Sequence, residues 1–252
     1  MKIIKFKKVK NNQYEILLKD GSILKLYDDV ILKYNLIIEK KIPDNIYEEI
    51  LEYNSSLDAY YVAIKYLNRK MRTKLEIEKY LKDKEYKKDI INLTLNKLES
   101  NKIINDNDYM KAYINDQVKL NKIGPNKIIK NLKLLGIANE NVYSYIESID
   151  DDIWKEKIRK IIDKKIKSNN NYSVSMLKNK IIIYLINEGY DKNIINSVLE
   201  GYNIKNSKNI ILKEYNKQKK KLSKKYDGEA LKFQIKMKLK AKGFDLEDLK
   251  DF

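Results

Sequence analysis

The chain has 252 residues, 43% apolar and 35% charged, and its 53 basic against 36 acidic side chains give a formal charge of +17. It has no Cys and no His, which excludes thiol catalysis, Ser-His and Cys-His arrangements, zinc fingers and disulfide frameworks. It has only seven glycines and no phosphate-cradling glycine motif, and no apolar run approaches the ~20 residues of a membrane span. The expectation is a helical cytoplasmic protein that binds rather than catalyses, with no cofactor and no metal. Its charge would attract a polyanion.

Residues Ile3 to Val9, Tyr14 to Leu18 and Ile23 to Tyr27 alternate apolar and polar side chains, with Asp20-Gly21 as a hairpin signal between the last two. They predict a small antiparallel β element. Val30 to Leu36 reads as a short helix, and Ile42-Pro43-Asp44 precedes another with Pro near its first turn. Ser55-Ser56-Leu57-Asp58 reads as a helix start, followed by Ala59, Val62, Ala63, Tyr66 and Leu67 on one face. That helix leads to Arg69 and Arg72, two of only three arginines, the other being Arg159. Their planar guanidinium groups suit bidentate contacts to phosphate; the alternative role is to tie this helix to the next through Glu76 or Glu78. Thr73 and Glu76 have the spacing of a capping box.

The stretch Ile77 to Ile91 then returns three times, as Ile128 to Val142, Ile181 to Ile195 and Ile235 to Leu249. The anchors Leu81, Leu132, Leu185 and Leu239 are 51, 53 and 54 residues apart. Five residues after each comes Tyr86, Ile137, Tyr190 or Phe244, preceded by Gly136, Gly189 and Gly243 in three copies and by Glu85 in the first. This is the pattern of a helix end, a residue with positive φ and a bulky side chain packing back on the helix just left. Asp89, Asn141 or Asp245 then lies near the start of the following helix. A unit of this length holds about three helices and shares its packing with neighbours.

Two acidic runs invite a metal and fail. In Asp106-Asn107-Asp108, Lys111 and Gln117 stand where a calcium loop needs Gly and Glu, so capping is the expected role. Asp150-Asp151-Asp152 suits a helix N-terminus, and Trp154 after it reads as core. Ser168 to Asn171 is loop-like. Basic residues gather around Gly124-Pro125, as Lys119, Lys122 and Lys127, and continue in Lys130 and Lys133. From Lys205 to Lys242 there are 14 lysines against Glu214, Asp227 and Glu229, including Lys217, Lys219, Lys220, Lys221, Lys224 and Lys225. Such a run suits a phosphate-contacting surface, although solvated lysines need no ligand.

The residues Ala63, Tyr66, Leu67, Arg69, Arg72, Thr73, Glu76, Ile77, Tyr80 and Leu81 are followed by Leu95, Leu98, Ile104, Asn105, Asp106, Tyr109 and Ala112, then by Gly124, Ile128, Leu132, Gly136 and Ile137. In this order they resemble the RecX regulatory family. The block from about Ser55 to Ile146 is the specific part, and the later repeats and N-terminus resemble the longer RecX proteins of low-GC Gram-positive bacteria. Glu85 departs from the usual glycine, and Asn105-Asp106 from a common pair of acids. The resemblance implies a protein that binds RecA, lies in the groove of its filament on single-stranded DNA, and restrains strand exchange, ATP hydrolysis and coprotease activity. Arg69, Arg72, Lys74, Lys119, Lys122, Lys127, Lys130, Lys133 and the six lysines from Lys217 to Lys225 are the candidates for contact with RecA or DNA.

The expected fold is mainly α, with tandem three-helix repeats in an elongated, curved array and a small N-terminal antiparallel β element. The boundaries are 1–54 for the β-hairpin and short helices, then repeats at 55–104, 105–150, 151–203 and 204–252. A monomer is expected, with nucleic acid held by its backbone rather than its sequence. The alternative reading is a helical-repeat DNA-binding regulator or scaffold acting without RecA.

Overall fold

The computed structural model describes residues 1–120, 122–138 and 140–245. Contacts divide the chain into two units, one of Met1–Met110 with Leu135–Ile137, the other of Lys111–Leu134 with Ala138–Phe252.

The first unit opens with β1 (Ile3–Lys8), β2 (Gln13–Leu18) and β3 (Ile23–Tyr27), antiparallel in the order β1-β2-β3. Asn11 and Asn12 both have φ near 60°, the double left-handed turn that matches the twist of a tight hairpin. At Asp20-Gly21 the Asp20 carboxylate accepts from the Ser22 N–H (3.0 Å) and Gly21 has φ +86°. The predicted single helix over 30–36 is two short ones, α1 (Asp28–Lys33) and α2 (Leu36–Glu39), because Asn35 between them is left-handed at φ 50°. Ile16, Leu26, Leu36, Ile42 and Ile50 are fully buried here.

After a single 3-10 turn at Asp44–Ile46, α3 runs unbroken from Tyr47 to Leu67. The helix start expected at Ser55-Ser56 is therefore absent. Ser56 instead turns its hydroxyl back to the Tyr53 carbonyl (2.7 Å), a local bond that a helix interior tolerates. Asn54 serves the sheet, accepting from the Tyr27 N–H (2.9 Å). Asp58 joins sheet to helices, because both the Tyr27 hydroxyl (2.7 Å) and the Tyr86 hydroxyl donate to its carboxylate. Burial, then the Asp58 charge, raises both phenols above their ordinary range.

Helices α4 (Lys74–Asp83) and α5 (Lys88–Ser100) complete the first repeat, burying Ala59, Ala63, Ile77, Leu81, Ile91, Leu95 and Leu98 together. The capping box is present: Glu76 N–H donates to Thr73 Oγ1 (3.2 Å) and Thr73 N–H to Glu76 Oε2 (3.0 Å). The later repeats use α6 (Asp106–Leu120), α7 (Pro125–Leu134) and α8 (Glu140–Glu147), then α9 (Asp151–Lys167), α10 (Val174–Asn187) and α11 (Lys192–Glu200), then α12 (Lys208–Leu222) and α13 (Gly228–Ala241). Asn105 begins α6 by accepting from the N–H of Asn107 (2.9 Å), and Asp150 begins α9 by accepting from that of Asp152 (2.9 Å). Asp191 caps α11, a role not expected from the sequence in that copy. Trp154 is buried against Tyr190, edge to face.

The recurring stretch is a helix, a turn and the start of the next helix in the first three copies; in the fourth, α13 and its turn are present and Leu249 lies outside the described residues. The turn hydrogen bonds repeat closely. Tyr86 N–H reaches Leu81 O (3.3 Å), Tyr190 N–H reaches Leu185 O (3.0 Å) and Phe244 N–H reaches Leu239 O (3.2 Å), each with the preceding N–H closing an inner bond. Glu85, Gly136, Gly189 and Gly243 have φ +65°, +85°, +89° and +80°.

The three glycines have a second reason to lack a side chain. A Cβ on Gly136 would lie 2.8 Å from Leu75 Cβ in the first turn of α4. One on Gly189 would lie 2.4 Å from the Lys127 N in the first turn of α7, and one on Gly243 would lie 2.8 Å from Ser175 Cβ in the first turn of α10. Each turn thus sits on the start of the preceding repeat's second helix. Glu85 belongs to the first copy, which has no earlier repeat to meet, so there only φ opposes a side chain.

A left-handed non-glycine residue costs about 1–2 kcal/mol, against about 0.5–1 kcal/mol for the backbone freedom of glycine. Glu85→Gly should therefore raise the unfolding free energy by up to about 1 kcal/mol, read from urea melts, and slow hydrogen exchange in α4 and α5. Gly21, at φ +86° with nothing within 4 Å of a Cβ, separates conformation from docking. Gly21→Ala should cost about 1 kcal/mol, and Gly189→Ala more than about 2 kcal/mol. Equal midpoints for these two variants would show that the docking of Gly189 on α7 contributes nothing.

Candidate nucleic-acid interface

The fourteen basic candidates fall into two groups. Arg72, Lys74 and Lys127 are engaged within the fold. The Arg72 guanidinium lies 4.2 Å from the Tyr66 ring centre, and Tyr66 stacks on Tyr80 at 3.9 Å and 10°. Its Nη1 is 3.1 Å from Glu76 Oε1, the same carboxylate that completes the cap of α4. Of the two roles open to this arginine, the structure displays the tie between helices. Lys74 pairs with Glu99 at 2.6 Å, and its backbone N–H donates to Asp106 Oδ1 (2.9 Å), so Asp106 serves α4 across 32 residues of chain.

Lys127 stands at the corresponding junction further on. Its ammonium pairs with Glu188 (3.0 Å), while Gly124 N–H donates to Glu188 O (2.7 Å) and Asn126 N–H to Gly189 O (3.0 Å). The Tyr190 hydroxyl donates to Lys122 O (2.9 Å). Pro125 opens α7 without an N–H to satisfy. At α10 the first N–H is met by Asn206 (2.7 Å), as Asp106 meets that of α4.

The other eleven point into solvent. Arg69 is exposed beyond the end of α3, and Lys130 and Lys133 are exposed on α7. Lys217, Lys219, Lys220 and Lys221 are exposed on the last turns of α12, where cations also favour the helix dipole. Lys224 and Lys225 continue in the turn toward α13. Among the described residues none of these six lysines enters an ion pair; Lys217 lends its charge to Glu214, and the other five are left for a polyanion. By contrast Lys242 is bound to Glu214 (2.5 Å), which also accepts from Gln218 (2.5 Å). Burial alone would raise the Glu214 carboxyl, but these bonds and the Lys242 charge outweigh it and hold it below the usual range.

Lys119 and Lys122 border a groove of about 830 Å³ between the end of α6 and α9. Its other basic residues are Lys157, Lys160, Lys164 and Lys165, none of them expected from the sequence to belong to a site. Interleaved with Glu156 and Asp163, they read as ordinary solvated positions; the spacing 157, 160, 164 on one helical face is the signal that marks them. Burial lowers the affinity of the Lys157 ammonium for its proton, and its Nζ donates to Gln117 O (3.0 Å). Among the described residues there is no cluster of three or more acids able to hold a metal, and no helix long and apolar enough to cross a membrane.

The family model for the first three-helix domain of RecX matches residues 59–98, from within α3 to the end of α5. The regulatory protein RecX of Streptococcus agalactiae serotype III (strain NEM316) is 30% identical over 259 residues, covering 99% of this chain and 97% of its own. That of Bacillus pumilus (strain SAFR-032) is 28% identical over 229 residues, covering 88% and 85%. A crystal structure of regulatory protein RecX superposes with a TM-score of 0.70 at 21% identity, over 79% of this chain and 98% of the other. The crystal structure of RecX from Lactobacillus salivarius gives 0.55 at 26% identity, over 59% and 96%. Matched along almost all of its length and sharing the three-helix repeat, the chain belongs to the RecX family of regulatory proteins.

Proposed function

We propose that this protein binds RecA and its filament on single-stranded DNA in the cytoplasm, as a monomer, and restrains the recombinase, ATPase and coprotease activities without chemistry of its own. Membership of the RecX family carries this reading. The geometry adds a means of attachment, namely the unpaired lysines at the end of α12 and in the turn after it, whose charge would replace counterions condensed on a nucleic-acid backbone. Arg72, Lys74 and Lys127 support the fold that presents them. Nucleotide hydrolysis stays with RecA.

The first test is the DNA-dependent ATPase of RecA with and without this protein. Inhibition at substoichiometric or stoichiometric ratios is expected, and an unchanged rate with DNA still bound would favour a DNA-binding regulator independent of RecA. A second test replaces Lys219, Lys220, Lys221, Lys224 and Lys225 by Gln. Binding to RecA-coated single strands should weaken, and the slope of log affinity against log salt should flatten by about 0.7 for each phosphate that is no longer neutralised. The unfolding free energy from urea melts should stay within about 0.5 kcal/mol, because exposed lysines contribute little to folding. An unchanged slope would reduce the run to solvated surface.

A further inference from the structure

We infer that the groove between the end of α6 and α9 is a docking site for an acidic amphipathic helix of a protein partner. The inference rests on the reading of this chain as a regulator that binds a protein, and assigns that partner a chemistry. The groove is lined in part by aliphatic side chains that remain exposed. Leu120 keeps 78% of its surface exposed and Ile153 43%, an arrangement that water disfavours and a covering apolar side chain would relieve.

The rim is cationic after its own acids are accounted for. Asp152 is paired with Lys155 (3.1 Å), and Glu156 with Arg159 (3.6 Å) and Lys160 (3.5 Å). Among the described residues Lys119 and Lys164 enter no ion pair, so the surplus around the aliphatic lining is positive. Carboxylates flanking an apolar stripe complement both parts at once. The lining of α9 runs from Asp152 to Lys165, about 20 Å at 1.5 Å per residue, the length of three to four helical turns.

A single-stranded nucleic acid fits this groove less well. Non-specific strand binding relies on aromatic faces for the bases. Among the described residues the one aromatic side chain lining the groove is Tyr184, and the Lys165 ammonium already lies over its ring at 4.1 Å. Aliphatic side chains offer bases neither stacking nor hydrogen bonds.

The probe is a fluorescein-labelled helical peptide of about 18 residues, built from Glu with Leu at every third or fourth position, with a Ser-for-Leu peptide and oligo(dT) as comparisons. Anisotropy at physiological salt should show saturable binding of the Glu/Leu peptide, weaker by about tenfold or more for the Ser version. Leu120→Ser with Ile153→Ser should weaken the peptide by about tenfold or more and leave oligo(dT) within about twofold. Both residues are exposed enough that the fold survives, which circular dichroism checks. Lys160→Gln with Lys164→Gln should weaken the peptide similarly. Peptide binding indifferent to Leu120 and Ile153, or a lysine pair that holds oligo(dT) and not the peptide, would overturn the inference in favour of nucleic acid. A chain that holds the peptide here yet leaves the RecA ATPase untouched keeps the groove and removes the RecA reading. Full restraint of RecA with no peptide binding removes the groove alone.

Discussion

A helix that stops after ten to fourteen residues and turns back needs one residue with positive φ, and in this chain that residue also lies against its neighbour. Gly136, Gly189 and Gly243 are held by two independent demands, the left-handed backbone and the start of another helix within 3 Å of where a Cβ would be. The same junctions satisfy the orphan N–H groups that every helix start leaves. Asp106 serves α4, Asn206 serves α10, and at α7 the proline removes the need. Close backbone approach and local hydrogen bonding thus replace the large shared apolar surface that helices of ten residues cannot offer.

This economy sets what the basic residues can do. A cation near a junction is drawn into it, as Lys127 is by Glu188 and Arg72 by Glu76 and the stacked tyrosines. Elsewhere some cations find a neighbouring acid on their own helix, as Lys160 finds Glu156, but among the described residues those from Lys219 to Lys225 at the end of α12 enter no ion pair. The charge excess of the whole chain is therefore less informative than its internal pairing, which leaves the lysine run unpaired among the described residues and engages Arg72, Lys74 and Lys127 within the fold.

Much of the fold was legible because its determinants are local. The leucine anchors, the glycines and the bulky residue after each describe a turn completed within six residues, and the Thr73–Glu76 cap within four. The unbroken run of α3 through Ser55-Ser56 was not, because polar residues there serve partners outside the local pattern: Asn54 accepts from Tyr27, 27 residues earlier, and Ser56 bonds back to Tyr53 within the helix. Arg72 was open between two roles for a similar reason: its partner Glu76 is visible at i+4, whereas the Tyr66–Tyr80 stack beneath it requires the turn between two helices to be known. The α6–α9 groove brings together residues more than thirty positions apart, and neither contributing segment is unusual alone.

The glycine junctions also order events during synthesis. The residue that completes the start of α4 lies 61 positions downstream at Gly136, the one for α7 62 positions downstream at Gly189, and the one for α10 68 positions downstream at Gly243. At about 5–20 residues per second, a ribosome takes roughly 3–13 s to make that intervening chain. Over that interval each second helix lacks its glycine neighbour, even where Asp106 or Asn206 has already met its first N–H, so the repeats consolidate from the N-terminus onward, each waiting on the translation of the next.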